Sequence, residues 1–154
     1  MMLKTHLVFS FLIGLVIINY LDFSNKYLFL AILTFASVLP DIDLPRSKIG
    51  KKFGFISRII NIFFGHRGLF HSLFLGLILF FVFYYFNLKL IAIAVLIGYI
   101  SHLLMDGLTK EGVLFFTPFS SLRLKGFIRT GSFFEYLLFF VLIILVVVQI
   151  RFMF

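Results

Sequence analysis

No cysteine occurs among the 154 residues, so neither a disulfide framework nor thiolate ligation of a metal is available. Charge is scarce: Asp, Glu, Lys and Arg together make up 13% of the chain, against about 25% in soluble domains. Acids are scarcest, six against fourteen Lys and Arg. There are three prolines, and neither an internal repeat nor a low-complexity linker can be found. Hydrocarbon fills the chain instead, with 62% hydrophobic residues, 25 Phe and a mean hydropathy of +1.17. These values exclude a water-soluble globular domain. The length suits one membrane-embedded domain over residues 1–154.

Five apolar segments stand out, at 7–21, 27–39, 69–86, 90–108 and 133–150. The second is short for a crossing that normally takes about 20 residues, and Pro40 ends it. Lys4 ahead of the first run resembles a signal peptide. The run continues through Ile17, Ile18, Asn19 and Tyr20 without a small-residue cleavage site, which predicts a retained first span. Between Asp41 and Gly68, Arg46, Lys48, Lys51, Lys52, Arg58 and Arg67 interleave with Ile49, Phe53, Phe55, Ile56, Ile59, Ile60, Phe63 and Phe64. That pattern predicts a helix lying in the headgroup layer. The fold class expected is therefore all-α: a polytopic bundle of about five apolar helices plus one basic amphipathic interfacial helix.

With five crossings, the N-terminus and both long connections (41–68 and 109–132) share a membrane face. That face carries eleven basic residues, against Lys26, Lys89 and Arg151 on the other. The positive-inside rule places the eleven in the cytoplasm, as expected of a multi-pass protein of a cell's inner membrane. The net charge of +8 lies between spans, where it orients the chain and attracts anionic lipid headgroups, so direct nucleic-acid binding is not expected.

The same threading gathers the ionisable residues. All four histidines (His6, His66, His71, His102) and five of the six acids (Asp41, Asp43, Asp106, Glu111, Glu135) arrive at one face. The sixth acid, Asp22, falls in a tight turn opposite and reads as a solvated turn residue. A charge at mid-bilayer costs roughly 2.5–3.5 kcal/mol or more, so such grouping is not free. A single His at an interface is usually structural, and an Asp pair between prolines is an ordinary helix stop. Their joint placement argues instead for a metal held by imidazole and carboxylate, which suits zinc, manganese or iron. His102 and Asp106, four apart, share a helix face. In Pro40-Asp41-Ile42-Asp43-Leu44-Pro45, two prolines break the helix and alternation can aim both carboxylates one way. One of that pair could bridge ions while the other orients a histidine. His66 and His71 flank a loop-to-helix junction where free backbone N–H groups suit an anion such as phosphate. Glu135 reads equally as a charge favoured by a helix N-terminus.

Pro40-Asp41-Ile42-Asp43, His66-Arg67-Gly68 with His71-Ser72, and His102-Leu103-Leu104-Met105-Asp106 followed by Thr109, Gly112 and Pro118 resemble the YdjM-like family of membrane-bound metal-dependent hydrolases. The resemblance covers nearly the whole chain, with His6 matching the family's N-terminal histidine. That family is distantly similar to all-helical zinc phospholipase C and single-strand nuclease enzymes. The resemblance implies His6, Asp41, His66, His102 and Asp106 as metal ligands, with Asp43 and His71 beside them. It also implies a cytosolic protein partner.

The function expected is hydrolysis of a phosphoester on a membrane-presented, lipid-type substrate, using one or two zinc ions and an activated water. Glu111 or Asp43 would accept a proton, and Arg67, with Arg123 as a further candidate, would neutralise phosphate. The alternative is a non-catalytic, metal-stabilised scaffold that docks a cytosolic partner. A transporter is disfavoured because the ends opposite the ligands are almost wholly apolar.

Overall fold

A computed structural model describes residues 1–43, 50–52, 54, 55, 57, 58 and 69–153. Among the described residues, the apolar α-helices follow in the order α1 (Leu3–Tyr20), α2 (Lys26–Ala36), α3 (Leu73–Tyr85), α4 (Lys89–Gly107) and α5 (Phe133–Met153). Two 3₁₀ turns, Leu39–Asp43 and Leu69–His71, sit at the end of α2 and before α3. Among the described residues there is no β-strand, only two isolated backbone bridges. The all-α membrane bundle expected from the sequence is the fold observed.

Three helices, α1, α4 and α5 (over Phe133–Phe152), have the length and apolarity to cross a membrane. The 11 residues of α2 and 13 of α3 reach about 17 and 20 Å, short of a hydrocarbon core of about 30 Å. Most of the predicted interfacial helix lies outside the described residues. Those within it are helical, with Lys51, Lys52, Phe55 and Arg58 exposed.

Local chemistry sets the boundaries. Asn25 caps α2 by accepting the Leu28 N–H at 2.9 Å. The apolar run from residue 69 does not start as α-helix: Ser72 Oγ donates to the Leu69 carbonyl at 2.7 Å, and the Leu73 N–H donates to the Phe115 carbonyl at 2.9 Å. Those bonds hold residues 69–71 as a separate turn and swing His71 into the protein. The wholly buried Glu135 joins α5 to α1. Its Oε1 accepts from the Met2 N–H at 2.6 Å and Thr5 Oγ1 at 3.2 Å, while Oε2 accepts from the Gly131 N–H at 2.7 Å.

Packing places α2 between α1 and α4, around Leu15, Ile18, Phe29, Leu30, Leu33 and Ala94. The approach of α2 to α4 requires Gly98. A Cβ there would run into the Leu33 carbonyl oxygen and come within 3.1 Å of the Ser37 backbone nitrogen. By contrast α5 packs against α1 and turns Ile144 and Val147 outward, in keeping with a lipid-facing helix.

Candidate metal centre

His102 lies one turn beyond Gly98 on α4, so the close α2–α4 approach brings it against the end of α2. Its Nδ1 donates to the Ser37 carbonyl at 2.7 Å, which leaves the Nε2 lone pair directed elsewhere. On the turn before α3, His71 does the same with a different partner: its Nδ1 donates to Asp43 Oδ2 at 2.9 Å. Tyr99, one turn before His102, donates its hydroxyl to the Phe70 carbonyl and so ties the His71 turn to α4.

The two Nε2 atoms meet 3.3 Å apart. Asp106 Oδ2 is 3.7 Å from each, and Asp41 Oδ1 is 4.0 Å from each. A tetrahedral ion with bonds near 2.1 Å spaces its donors about 3.4 Å apart, so Asp41, His71 and His102, whose donor atoms all lie within 4.8 Å of one another, approach the spacing one ion needs, with Asp106 Oδ2 beside both imidazoles. Both imidazoles already carry the backbone-carbonyl or carboxylate partner that metal-bound histidines almost always have.

His6 completes the cluster from α1. With His102 and Asp106 it forms a second group of donor atoms, all within 4.8 Å of one another, beside the group of Asp41, His71 and His102. Its Nε2 lies 3.3 Å from Asp106 Oδ1 but out of hydrogen-bonding alignment, and both ring nitrogens are buried without a hydrogen-bond partner. Each buried polar group left so costs about 1–3 kcal/mol, which a bound cation would offset. The His6 ring stacks on His102 with centroids 4.0 Å apart and planes at 10°. The amino group of Met1 also rests 2.6 Å from Asp106 Oδ1.

Exposure is uneven. The side chains of His71, His102 and Asp106 are at most 3% exposed, whereas Asp41 retains 18%. Burial raises the Asp41 carboxyl above the usual carboxylate range; His6 and His71 pull it down, and neighbouring Asp106 pushes it up.

Of the residues singled out from the sequence, His6, Asp41, His71, His102 and Asp106 come together, and Asp43 joins them through His71. Asp41 and Asp43 sit on a 3₁₀ turn instead of the extended alternation expected, because Asp41 N–H closes back on the Val38 carbonyl at 3.2 Å. Glu111 is elsewhere, in an exposed connection where Thr130 Oγ1 donates to its carboxylate at 3.4 Å. Glu135 is taken up by the joint between α1 and α5. His66 and Arg67 lie outside the described residues. Two supporting residues escape a sequence reading. Ser37 acts through a backbone carbonyl, which leaves no side-chain signature. Tyr99 does leave one, since it shares a helical stripe with His102 and Asp106 at spacings of three and seven.

An apolar cavity of about 700 Å³ lies apart from these donors, between α1 and α2, lined by Leu7, Phe11, Leu15, Leu30, Thr34 and Lys26 among others. It opens among helices of the membrane region and holds none of the cluster's carboxylates or imidazoles.

Spanning helices with a buried His/Asp cluster at one end define a multi-pass membrane protein built around a cation-sized polar centre. The chain belongs to the YdjM inner membrane protein family, whose model matches residues 1–153. It is 41% identical over 103 residues to the uncharacterized protein YvsG of Bacillus subtilis, covering 66% of this chain and 64% of that one. To the inner membrane protein YdjM of Escherichia coli it is 40% identical over 94 residues, 57% of this chain and 47% of that protein; the Shigella flexneri YdjM matches equally. The chain thus aligns with about half to two thirds of the length of these relatives. No solved structure matches it.

Proposed function

We propose that this chain is a membrane-bound metal-dependent hydrolase, holding a divalent ion, zinc before manganese or iron, between Asp41, His71, His102 and Asp106. The observation that carries the reading is the pairing of two imidazoles whose Nδ1 atoms are committed to Ser37 and Asp43 while their Nε2 atoms face each other at 3.3 Å. Two imidazole nitrogens at that separation, with carboxylate oxygens of Asp41 and Asp106 within 4.0 Å of both, have close to the spacing of ligands around one cation. An ion held there would polarise a phosphoryl oxygen and lower the pKa of a water from about 15.7 toward about 7.

The chain's own residues have distinct parts. Asp43 fixes the tautomer and direction of His71, and Ser37 those of His102. His6 cannot share the ion of His102 while their rings are stacked, because an imidazole lone pair lies in its ring plane. It steers Asp106 or, with Asp106 Oδ1, holds a second ion. Asp41, the most exposed of the four donors, is the one an entering substrate meets first. Phosphate neutralisation falls to Arg67 and Arg123, and proton acceptance to Asp43 or Glu111. The substrate class proposed is a phosphoester of a membrane lipid, supported by the cluster's place at the ends of spanning helices. On the positive-inside argument this face is cytoplasmic.

A second reading is a metal-stabilised scaffold that docks a cytosolic protein. Near-complete burial of His71, His102 and Asp106 favours it, since structural sites are closed and catalytic ones keep an open position. Metal analysis of purified wild type beside His102→Ala and Asp41→Ala tests the ligands, with metal lost from both variants as the expected result. Turnover of a panel of lipid phosphoesters by the loaded protein then separates enzyme from scaffold. Metal content unchanged in both variants would remove the site itself.

A further inference from the structure

The connection between α4 and α5 is folded, not loose. Val113 and Leu124 exchange both backbone hydrogen bonds, at 2.9 and 3.0 Å, and Thr109 pairs with Ile128 beside the end of α4. Ordered backbone usually accompanies buried apolar side chains, but here the outer residues are apolar and open. Phe119 is 81% exposed, Phe127 73% and Leu122 59%. Among them stand Arg123, Lys125 and Arg129, all exposed, while the only acid in the connection is Glu111.

Position tells what meets this surface. Both ends of the connection are ends of spanning helices, Gly107 and Phe133. The Phe119 ring meets Phe74 edge-on, with centroids 5.4 Å apart. Phe74 lies on α3 at spacings of four, seven and eight from Ile78, Phe81 and Val82, so the four share one helix face. Those three are exposed large hydrophobics, and an apolar helix face of that kind belongs to lipid. Phe119 therefore extends the lipid-facing stripe past the first turn of α3, to the level of the headgroups.

We propose that the 116–129 limb is a membrane-docking element. It sets Phe119, Leu122 and Phe127 into the interfacial layer on the cluster's side and Arg123, Lys125 and Arg129 against anionic phospholipid headgroups. Aromatic residues and basic side chains with apolar stems divide that layer between them in this way. The proposal stands independently of any hydrolytic activity: it needs neither metal nor substrate.

The chain has no tryptophan, so Phe119→Trp installs a sole reporter. In nanodiscs containing phosphatidylglycerol, its emission is expected to be blue-shifted. Brominated acyl chains should quench at least half of it, and acrylamide several-fold less than it quenches free tryptophan. Exchanging the anionic lipid for phosphatidylcholine, or combining Arg123→Ala, Lys125→Ala and Arg129→Ala, should cut bromolipid quenching several-fold. Water-like emission with full acrylamide quenching would overturn the proposal. So would protection from both quenchers, which would mean that protein covers the limb, or quenching indifferent to lipid charge. Phe127→Trp repeats the measurement away from the Phe74 contact.

Discussion

The Ser37 carbonyl and His102 Nδ1 are joined by a 2.7 Å hydrogen bond that ties the end of α2 to α4 and turns the histidine's other nitrogen toward three further donors. The bond exists only because Gly98 lets the two helices approach. Gly98→Ala places a methyl group against the Leu33 carbonyl, which cannot move without shifting α2. We expect a loss of about 1–3 kcal/mol in stability, and weaker metal binding from a misdirected His102. Thermal unfolding in detergent and metal titration of the same variant check both.

Asp43 and Asp41 should separate in a metal titration. Asp43 touches the cluster through His71 Nδ1, so Asp43→Asn is expected to weaken metal affinity by about 10–100-fold with unchanged stoichiometry at saturation. Asp41→Ala removes a donor and lowers the amount bound. Equal titration curves for the two would contradict the division of roles.

Glu135 gives a contrasting expectation. Glu135→Ala strands three donors, from Met2, Thr5 and Gly131, in a buried joint. A loss of about 2–4 kcal/mol follows, with metal stoichiometry unchanged in the protein that remains folded. Melting temperature and metal content, measured side by side, decide whether Glu135 belongs to the joint or to the cluster.

Asp41 makes stability depend on pH in a definite direction. Burial raises its folded pKa above the unfolded value of about 3.9. The stability it contributes is complete below that value and is lost as pH rises through the raised folded pKa. Above that folded pKa the metal-free protein carries an ionised, partly desolvated Asp41 at a net cost. Asp41→Asn removes that titration, so in chelator the variant's melting temperature should fall less than that of wild type as pH rises. Added zinc should reverse the order, because only the carboxylate gains from the ion.

Much of the architecture was legible in the residues. Apolar runs bounded by charge located α1 to α5 to within a few residues, since burying hydrocarbon and satisfying every backbone group in lipid leave little but helix available. Helix parity alone brought His6, Asp41, His71, His102 and Asp106 to one end. The boundaries slipped where side chains bond locally: Ser72 holds His71 on a turn ahead of α3, although the apolar run begins at Leu69. Glu135 arrived at the same face for another purpose, which charge and position could not reveal. Its partners are two backbone N–H groups and a threonine hydroxyl.

Membrane residence, the apolar helices α1 to α5 and the shared end of His6, Asp41, His71, His102 and Asp106 were determined by the order of apolar and ionisable residues. Each of these depends only on distance along a helix and on the cost of charge in hydrocarbon. Which nitrogen of each imidazole bonds to Ser37 or Asp43, which carboxylate supports and which converges, and that His6 stacks on His102 were decided by tertiary packing. Those outcomes turn on ångström-scale approaches between helices, such as α2 against α4 at Gly98, and on backbone carbonyls that every residue carries alike.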